Sequence, residues 1–257
     1  MKPTLASALA VFAISTSLLA GCSSAPKTEK KSPKELAALY VELGTGSLTR
    51  KEYPEAIEDL RKAITLDSSN AVAHNHLGLA YYGLGKRELA KEEVSRAVSE
   101  DSKYSDGYIN LGNFAYEEKN NALARRYYHK ALENLEYKYR HRALTALAQL
   151  ALSENNHAEA RRFLGESLAA NPDYCLTHFL LGTLLVREND AKPAAEAFAK
   201  SVAGSCVNNP TAHYQLGLAY LKLREFPKAK NAFVFLVQAF PQTVEAQRAG
   251  DQLRNIP

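Results

Sequence analysis

The sequence predicts an all-α solenoid, one helix-pair unit written six times and closed by a C-terminal capping helix. Three observations predict it. Leu followed by Gly or Ala recurs at Leu43-Gly44, Leu77-Gly78, Leu111-Gly112, Leu147-Ala148, Leu181-Gly182 and Leu216-Gly217, at spacings of 34, 34, 36, 34 and 35 residues. Twelve residues after each small residue stands an alanine: Ala56, Ala90, Ala124, Ala160, Ala194 and Ala229. Seven residues further on comes a small side chain again, Ala63, Ala97, Ala131, Ser167 and Ser201, with Leu236 the exception. A period in this range marks a stacked repeat array, in which each unit buries its apolar face only against its neighbours.

The chain opens differently. Met1 and Lys2 precede an apolar run from Leu5 to Ala20, about sixteen residues. That is shorter than the roughly 20 a helix needs to cross hydrocarbon, and it has the layout of a secretory signal. Leu19-Ala20-Gly21-Cys22 resembles the lipobox of bacterial lipoproteins. The resemblance implies a signal peptide over 1–21, diacylglycerol on the Cys22 sulfur and an acylated new terminus. A single acyl chain binds a bilayer only marginally, whereas three make a lasting anchor. Ser23 follows instead of an aspartate, which by the sorting rule of that family implies the periplasmic face of the outer membrane. Residues 23–34, SSAPKTEKKSPK, offer little to bury, so 22–36 is expected to be a lipidated flexible tether.

The units are placed at 37–70, 71–104, 105–138, 141–174, 175–209 and 210–243. Gly85, Asn120-Asn121, Asn155-Asn156 and Asn189-Asp190 fall where the two helices of a unit must turn, and these residues accept left-handed geometry. Pro172 and Pro241 fall at unit ends, where a helix must stop. VEAQRAGDQLRN then alternates apolar and polar residues at helical spacing, and 244–257 is read as a capping helix and tail.

This pattern resembles the tetratricopeptide repeat over 37–243. The resemblance implies a right-handed superhelix of antiparallel helix pairs with a concave groove. It also implies that the second, fifth, ninth and twelfth positions of each unit line the groove. In the first three units these include Val41, Leu48, Val72, Asn75, Leu79, Tyr82, Ile109, Asn113 and Tyr116. Apolar side chains there would receive those of a peptide or helix, and Asn75 and Asn113 would hold its backbone. The same slots also serve packing between neighbouring helices.

A narrower resemblance rests on the lipobox, six repeats on a short tether, the stretch NLGNFAYEEKNNALARRYYHKALENLEYKYRHRALTALAQLAL at 110–152 and two extra residues near Tyr139 and Arg140. These features are similar to the pilotin lipoproteins of type IV pilus biogenesis, the PilF, PilW and Tgl group. The resemblance implies a non-catalytic escort that helps an outer-membrane secretin reach its membrane and multimerise, holding a secretin segment in the first three repeats. Many members of that group carry a cysteine pair in the first helices of the third and fourth units, where this chain has Tyr116 and Leu150. A general periplasmic adaptor for envelope or cell-wall enzymes is the alternative of the same architecture, and an envelope enzyme is a third reading.

The other cysteines, Cys175 and Cys206, open and end the fifth unit, so an antiparallel pair returns both to one end. In an exported chain a disulfide there closes a loop of about 32 residues, worth ~3.7 kcal/mol in the chain-entropy description. Two unpaired thiols are the alternative. Other chemistry finds no support. GLGK at 83–86 lacks the spacing and hydroxyl of a phosphate loop. His74 and His76 are two apart and point in different directions on a helix, so no metal site is expected. His74, His178 and His213 share the fourth slot of their units, where a packing or surface role is expected. No Ser or Cys with a His and carboxylate suggests catalysis, and no cofactor is implied. Removing the signal takes Lys2 alone among charged residues and lowers the formal charge from +4 to +3, too balanced for a nucleic-acid footprint.

Overall fold

The computed structural model describes residues 31–257. Cys22, the signal read over 1–21 and the tether up to residue 30 lie outside the described residues. Thirteen α-helices and no strand are found among the described residues. Six helix pairs follow one another: α1 Pro33–Thr49 with α2 Tyr53–Leu66, α3 Ala71–Gly83 with α4 Arg87–Glu100, and α5 Ser105–Glu117 with α6 Asn121–Leu132. Then come α7 Arg140–Ser153 with α8 His157–Ala170, α9 Cys175–Arg187 with α10 Ala191–Ser201, and α11 Pro210–Lys222 with α12 Phe226–Ala239. Helix α13, Val244–Asn255, packs on α12 through Ala246 and Ala249.

The small residues of the repeat explain the pairing. The six alanines from Ala56 to Ala229 are all 0% exposed, because each sits where two helix backbones come close. The glycine of each first helix faces a large side chain sixteen residues later. A Cβ on Gly44, Gly78, Gly112, Gly182 or Gly217 would come within 2.4–2.7 Å of Leu60, Val94, Tyr128, Phe198 or Phe233. In the fourth unit Ala148 takes the glycine's place, and Leu164 stands opposite it in the register.

Each first helix ends on one left-handed residue: Lys51, Gly85, Lys119, Asn155, Asn189 and Arg224, with φ between 58° and 74°. The following N–H reaches back to a carbonyl in the last turn, as in Lys86 to Tyr81, Asn120 to Ala115 and Asn156 to Ala151, at 2.8–2.9 Å. This is the Schellman closure of a helix C-terminus. In the third unit the left-handed residue is Lys119, and Asn120 instead caps α6 by accepting the N–H of Leu123 at 3.1 Å. An L side chain in this conformation costs ~1–2 kcal/mol, and Gly avoids it at an entropic cost of ~0.5–1 kcal/mol. Lys119→Gly and Arg224→Gly should therefore each stabilise the fold by about 0.5 kcal/mol, read as a higher urea midpoint.

Helix α1 begins at Pro33, inside the stretch assigned to the tether. Ser32 Oγ accepts the N–H of Glu35 at 3.3 Å and the Glu35 carboxylate accepts the N–H of Ser32 at 2.6 Å, with Pro33 following the cap. Ser-Pro-Lys-Glu is a capping box, a start signal that outweighs the polar composition around it.

The fourth-slot histidines are structural. His74, His178 and His213 are buried, and each Nε2 lies 2.7–3.1 Å from a backbone oxygen six residues earlier, that of Ser68, Pro172 or Val207. Each therefore ties the loop before its helix to the helix itself. Burial holds the His213 imidazole below the usual histidine range. Burial acts on His74 in the same direction, but the Glu93 carboxylate at 2.7 Å and the Ser68 carbonyl outweigh it and raise the group.

Candidate functional groove

The first helices of the third to sixth units bring a row of side chains onto the concave side, where they line two adjoining cavities. One, about 480 Å³, is lined by Ile109, Asn113, Tyr116, Arg142, Gln149, Tyr174 and Leu176, among others. The second, about 400 Å³, is lined by Tyr116, Gln149, Leu152, Phe179, Thr183, Val186 and Gln215 with their neighbours. Tyr116 and Gln149 belong to both, so the two cavities form one trough across α5, α7 and α9.

The ninth slot explains why the trough is polar along its floor. It holds Asn113, Gln149 and Thr183 in the third to fifth units, but Leu79 and Leu218 in the second and sixth. Asn113 is exposed, and its carbonyl oxygen accepts the Tyr128 hydroxyl at 3.0 Å, leaving the amide nitrogen as a donor to the trough. Apolar walls come from Leu176 and Val186, 38% and 42% exposed, and from the partly buried Phe179.

Most of the charge along the trough is paired. Arg142 is held by Asp106, which also accepts the Tyr137 hydroxyl at 2.7 Å. Glu117 pairs with Arg87 at 2.7 Å and accepts the Tyr82 hydroxyl. That hydrogen bond from Tyr82 pulls the Glu117 carboxyl below its usual range and pushes the phenol up. Arg187 donates to the Leu152 carbonyl at 2.6 Å. A surface of this kind accepts apolar side chains and backbone amides, with the Arg187 guanidinium, bonded only to neutral oxygens, as its one cation without a carboxylate among the described residues.

The nine predicted groove residues fare differently. Ile109, Asn113 and Tyr116 meet in the trough. Val72 is 37% exposed and Val41 and Leu79 are partly buried, all outside the trough. Leu48 and Tyr82 are spent on packing against the core of Ala56, Leu60 and Leu77, with the Tyr82 ring stacked 5.1 Å from that of Phe114. Asn75 does not hold a ligand backbone. It is 2% exposed, and its carbonyl oxygen accepts Asn110 Nδ2 at 2.8 Å, a bond that satisfies two buried amides across the second and third units. Ile109 is only 3% exposed and belongs to the core around Tyr108, Ala131 and Ala143. The same register rule reaches Gln149, Leu176, Phe179, Thr183 and Val186, so the trough extends one to two units beyond the first three repeats. Tyr174 and Gln215 stand outside the four slots, and the register gives no signal for them.

Cys175 and Cys206 are joined in a disulfide with Cα atoms 5.5 Å apart. It binds the start of α9 to the 3-10 turn Gly204–Cys206 that follows α10. Among the described residues no group of three His, Cys, Asp or Glu side chains is placed to hold a metal ion, and no helix is long and apolar enough to cross a membrane.

Tetratricopeptide-repeat family models match residues 49–85, 75–138 and 141–174. The type IV pilus assembly protein PilF of Pseudomonas aeruginosa is 29% identical over 173 residues, which are 67% of this chain and 69% of that protein. The solved structure of Pseudomonas aeruginosa PilF superposes with a TM-score of 0.73 at 25% identity, covering 86% of this chain and all of that one. PilW, described as a widely conserved type IV pilus biogenesis factor, shares the fold with a TM-score of 0.70 at 20% identity, covering 83% of this chain and 98% of its own.

Proposed function

We propose that this chain, a protein of tetratricopeptide repeats related in sequence to the pilus assembly protein PilF, is a non-catalytic outer-membrane lipoprotein that acts as a pilotin. Cys22 carries the lipid, the array stands on the periplasmic face, and the trough of the third to fifth units holds a segment of an outer-membrane secretin subunit during its assembly. The observation that carries this reading is the amide-floored, apolar-walled trough shared by Tyr116 and Gln149. Its apolar walls and amide floor suit a segment with apolar side chains and accessible backbone amides, the form in which a protein strand or helix is gripped along its length.

Tyr116→Asp with Val186→Asp tests the reading. Both side chains are accessible enough for the fold to survive. A carboxylate on the apolar wall should weaken binding of the secretin subunit by at least ~30-fold, the scale of a hot-spot loss of about 2 kcal/mol, measured by calorimetry. Unchanged affinity in a variant with native circular dichroism would remove the trough from the mechanism. Cys22→Ser should release the chain from the membrane fraction and leave the pilus ring unassembled. Capture of cell-wall enzymes in place of the secretin would favour the adaptor role.

A further inference from the structure

The corner between α6 and α7, residues 133–139, holds Leu135 at 81% exposure, the most exposed large apolar side chain among the described residues. Its exposure is not that of a loose loop. Arg140 donates to the Leu132 carbonyl at 2.8 Å and to the Asn134 carbonyl at 3.3 Å, closing the corner. Asn134 donates to the Lys103 carbonyl at 3.1 Å, joining the corner to the preceding inter-repeat loop. Tyr137 is anchored on Asp106. A corner braced from three sides still turns a leucine outward, and nothing in the fold gains from it.

Beside the leucine stand groups of two further kinds. Tyr139 is 43% exposed and meets Tyr137 edge-on, with ring centroids 5.9 Å apart, and the Lys138 ammonium lies 4.7 Å from the Tyr139 ring centre. Lys103 and Lys130 stand around Leu135 with Glu133 and Glu136, and Lys138 follows in the same corner. Of the two acids, Glu133 is paired with Lys130, and Glu136 makes no ion pair among the described residues. An outward leucine with tyrosines and lysines about it is the composition of a surface that seats at the boundary of headgroups and acyl chains, with the lysines reaching anionic phosphates.

Topology gives the direction. In an array of antiparallel pairs every inter-repeat loop lies on one edge, and every intra-repeat turn lies on the other. Helix α1 also starts on the inter-repeat edge, so the chain that precedes Ser32 leaves the array on the edge that carries Leu135. The stretch from Cys22 to Ser32 can reach at most about 36 Å, so an anchor there would keep this edge close to its membrane.

We propose that the 133–139 corner is a second membrane contact, inserting Leu135 into the interfacial layer of an anionic bilayer and so fixing which way the trough faces. The direction rests on the anchoring at Cys22 proposed above. The chain contains no tryptophan, so Leu135→Trp introduces a single reporter. The test uses the full chain with vesicles of phosphatidylcholine and phosphatidylglycerol brominated along the acyl chains. Leu84→Trp serves as the control, since Leu84 is 42% exposed at an intra-repeat turn on the opposite edge. The expected result is quenching several-fold stronger at position 135 than at 84, with blue-shifted emission. Lys103→Glu with Lys138→Glu, or omission of the anionic lipid, should reduce it. Equal quenching at the two positions would overturn the proposal, as would a blue shift that follows protein concentration in place of lipid, which would assign the corner to a second copy of the chain. Flotation of the same vesicles reports the anchor separately. A chain that floats with position 135 unquenched loses the corner and keeps the anchor, and one that does not float yet is quenched there loses the anchor alone.

Discussion

Gly217→Ala is expected to destabilise the protein by about 1 kcal/mol net and, in a Phe233→Leu background, to be neutral or stabilising. Two opposed effects set the sign. Alanine in a helix is favoured over glycine by ~1 kcal/mol, so without a steric conflict the substitution should help. Here the new Cβ would lie 2.4 Å from one ring carbon of Phe233 and 2.6 Å from another. The ring is 0% exposed and packed among Leu236, Ala229 and Ala249, so it has nowhere to retreat. Overpacking of this kind costs ~1–3 kcal/mol and outweighs the propensity gain. The fourth unit already carries the solution: Ala148 and Leu164 fill the equivalent positions, both 0% exposed. Shortening Phe233 to leucine copies that arrangement and lets the helix preference show. A double-mutant cycle by urea denaturation decides the matter. Additive effects would mean that the two positions do not compete for the same space, and that the sixteen-residue register carries no packing constraint.

That register is why the frame of the array was readable from the sequence while much of the groove was not. Small residues at fixed spacing record backbone approach, a demand that only Gly, Ala or Ser can meet, so Gly44 through Gly217 announce the pairs. The left-handed turn residues are less legible. The Schellman closure fixes the backbone at Lys51, Lys119 and Arg224 as firmly as at Gly85, and a long cation tolerates the conformation without advertising it. Polar residues in groove slots are the hardest to read, because their role depends on a partner far along the chain. Asn75 and Asn113 both stand in groove slots, the fifth and the ninth, yet Asn110 lies across from the first and bonds it inside the array. Asn113 meets only the Tyr128 hydroxyl and remains at the surface. Each side chain makes one such bond, and what separates structure from site is that the first is buried between two units while the second stays exposed, a difference no local pattern records.

Removing the disulfide should have the other large effect, and an uneven one. Cys175→Ala with Cys206→Ala releases a loop spanning 31 positions of sequence, worth ~3.7 kcal/mol in the chain-entropy description. The Cα separation of 5.5 Å falls within the usual disulfide range of roughly 4.4–6.8 Å, so geometric mismatch takes little from that value. Helix α10 has 11 residues where α4, α8 and α12 have 14, and the chain then runs through Gly204 at φ 55° before α11 begins. Without the disulfide the segment is ordered by a few local bonds, among them Cys206 N–H to the Ala203 carbonyl, the His213 contact to Val207 and the Asn209 cap on Ala212. In an array whose units touch only their neighbours, that loss should stay local. Hydrogen exchange should accelerate in α9 to α11 and remain unchanged in α1 to α4. The Thr183 and Val186 side of the trough would then loosen while the Asn113 side holds, and partner affinity should fall under reducing conditions before the array melts. Equal acceleration in all thirteen helices would instead show that the solenoid opens as one cooperative unit, and that the bond stabilises the whole array and not the junction it closes.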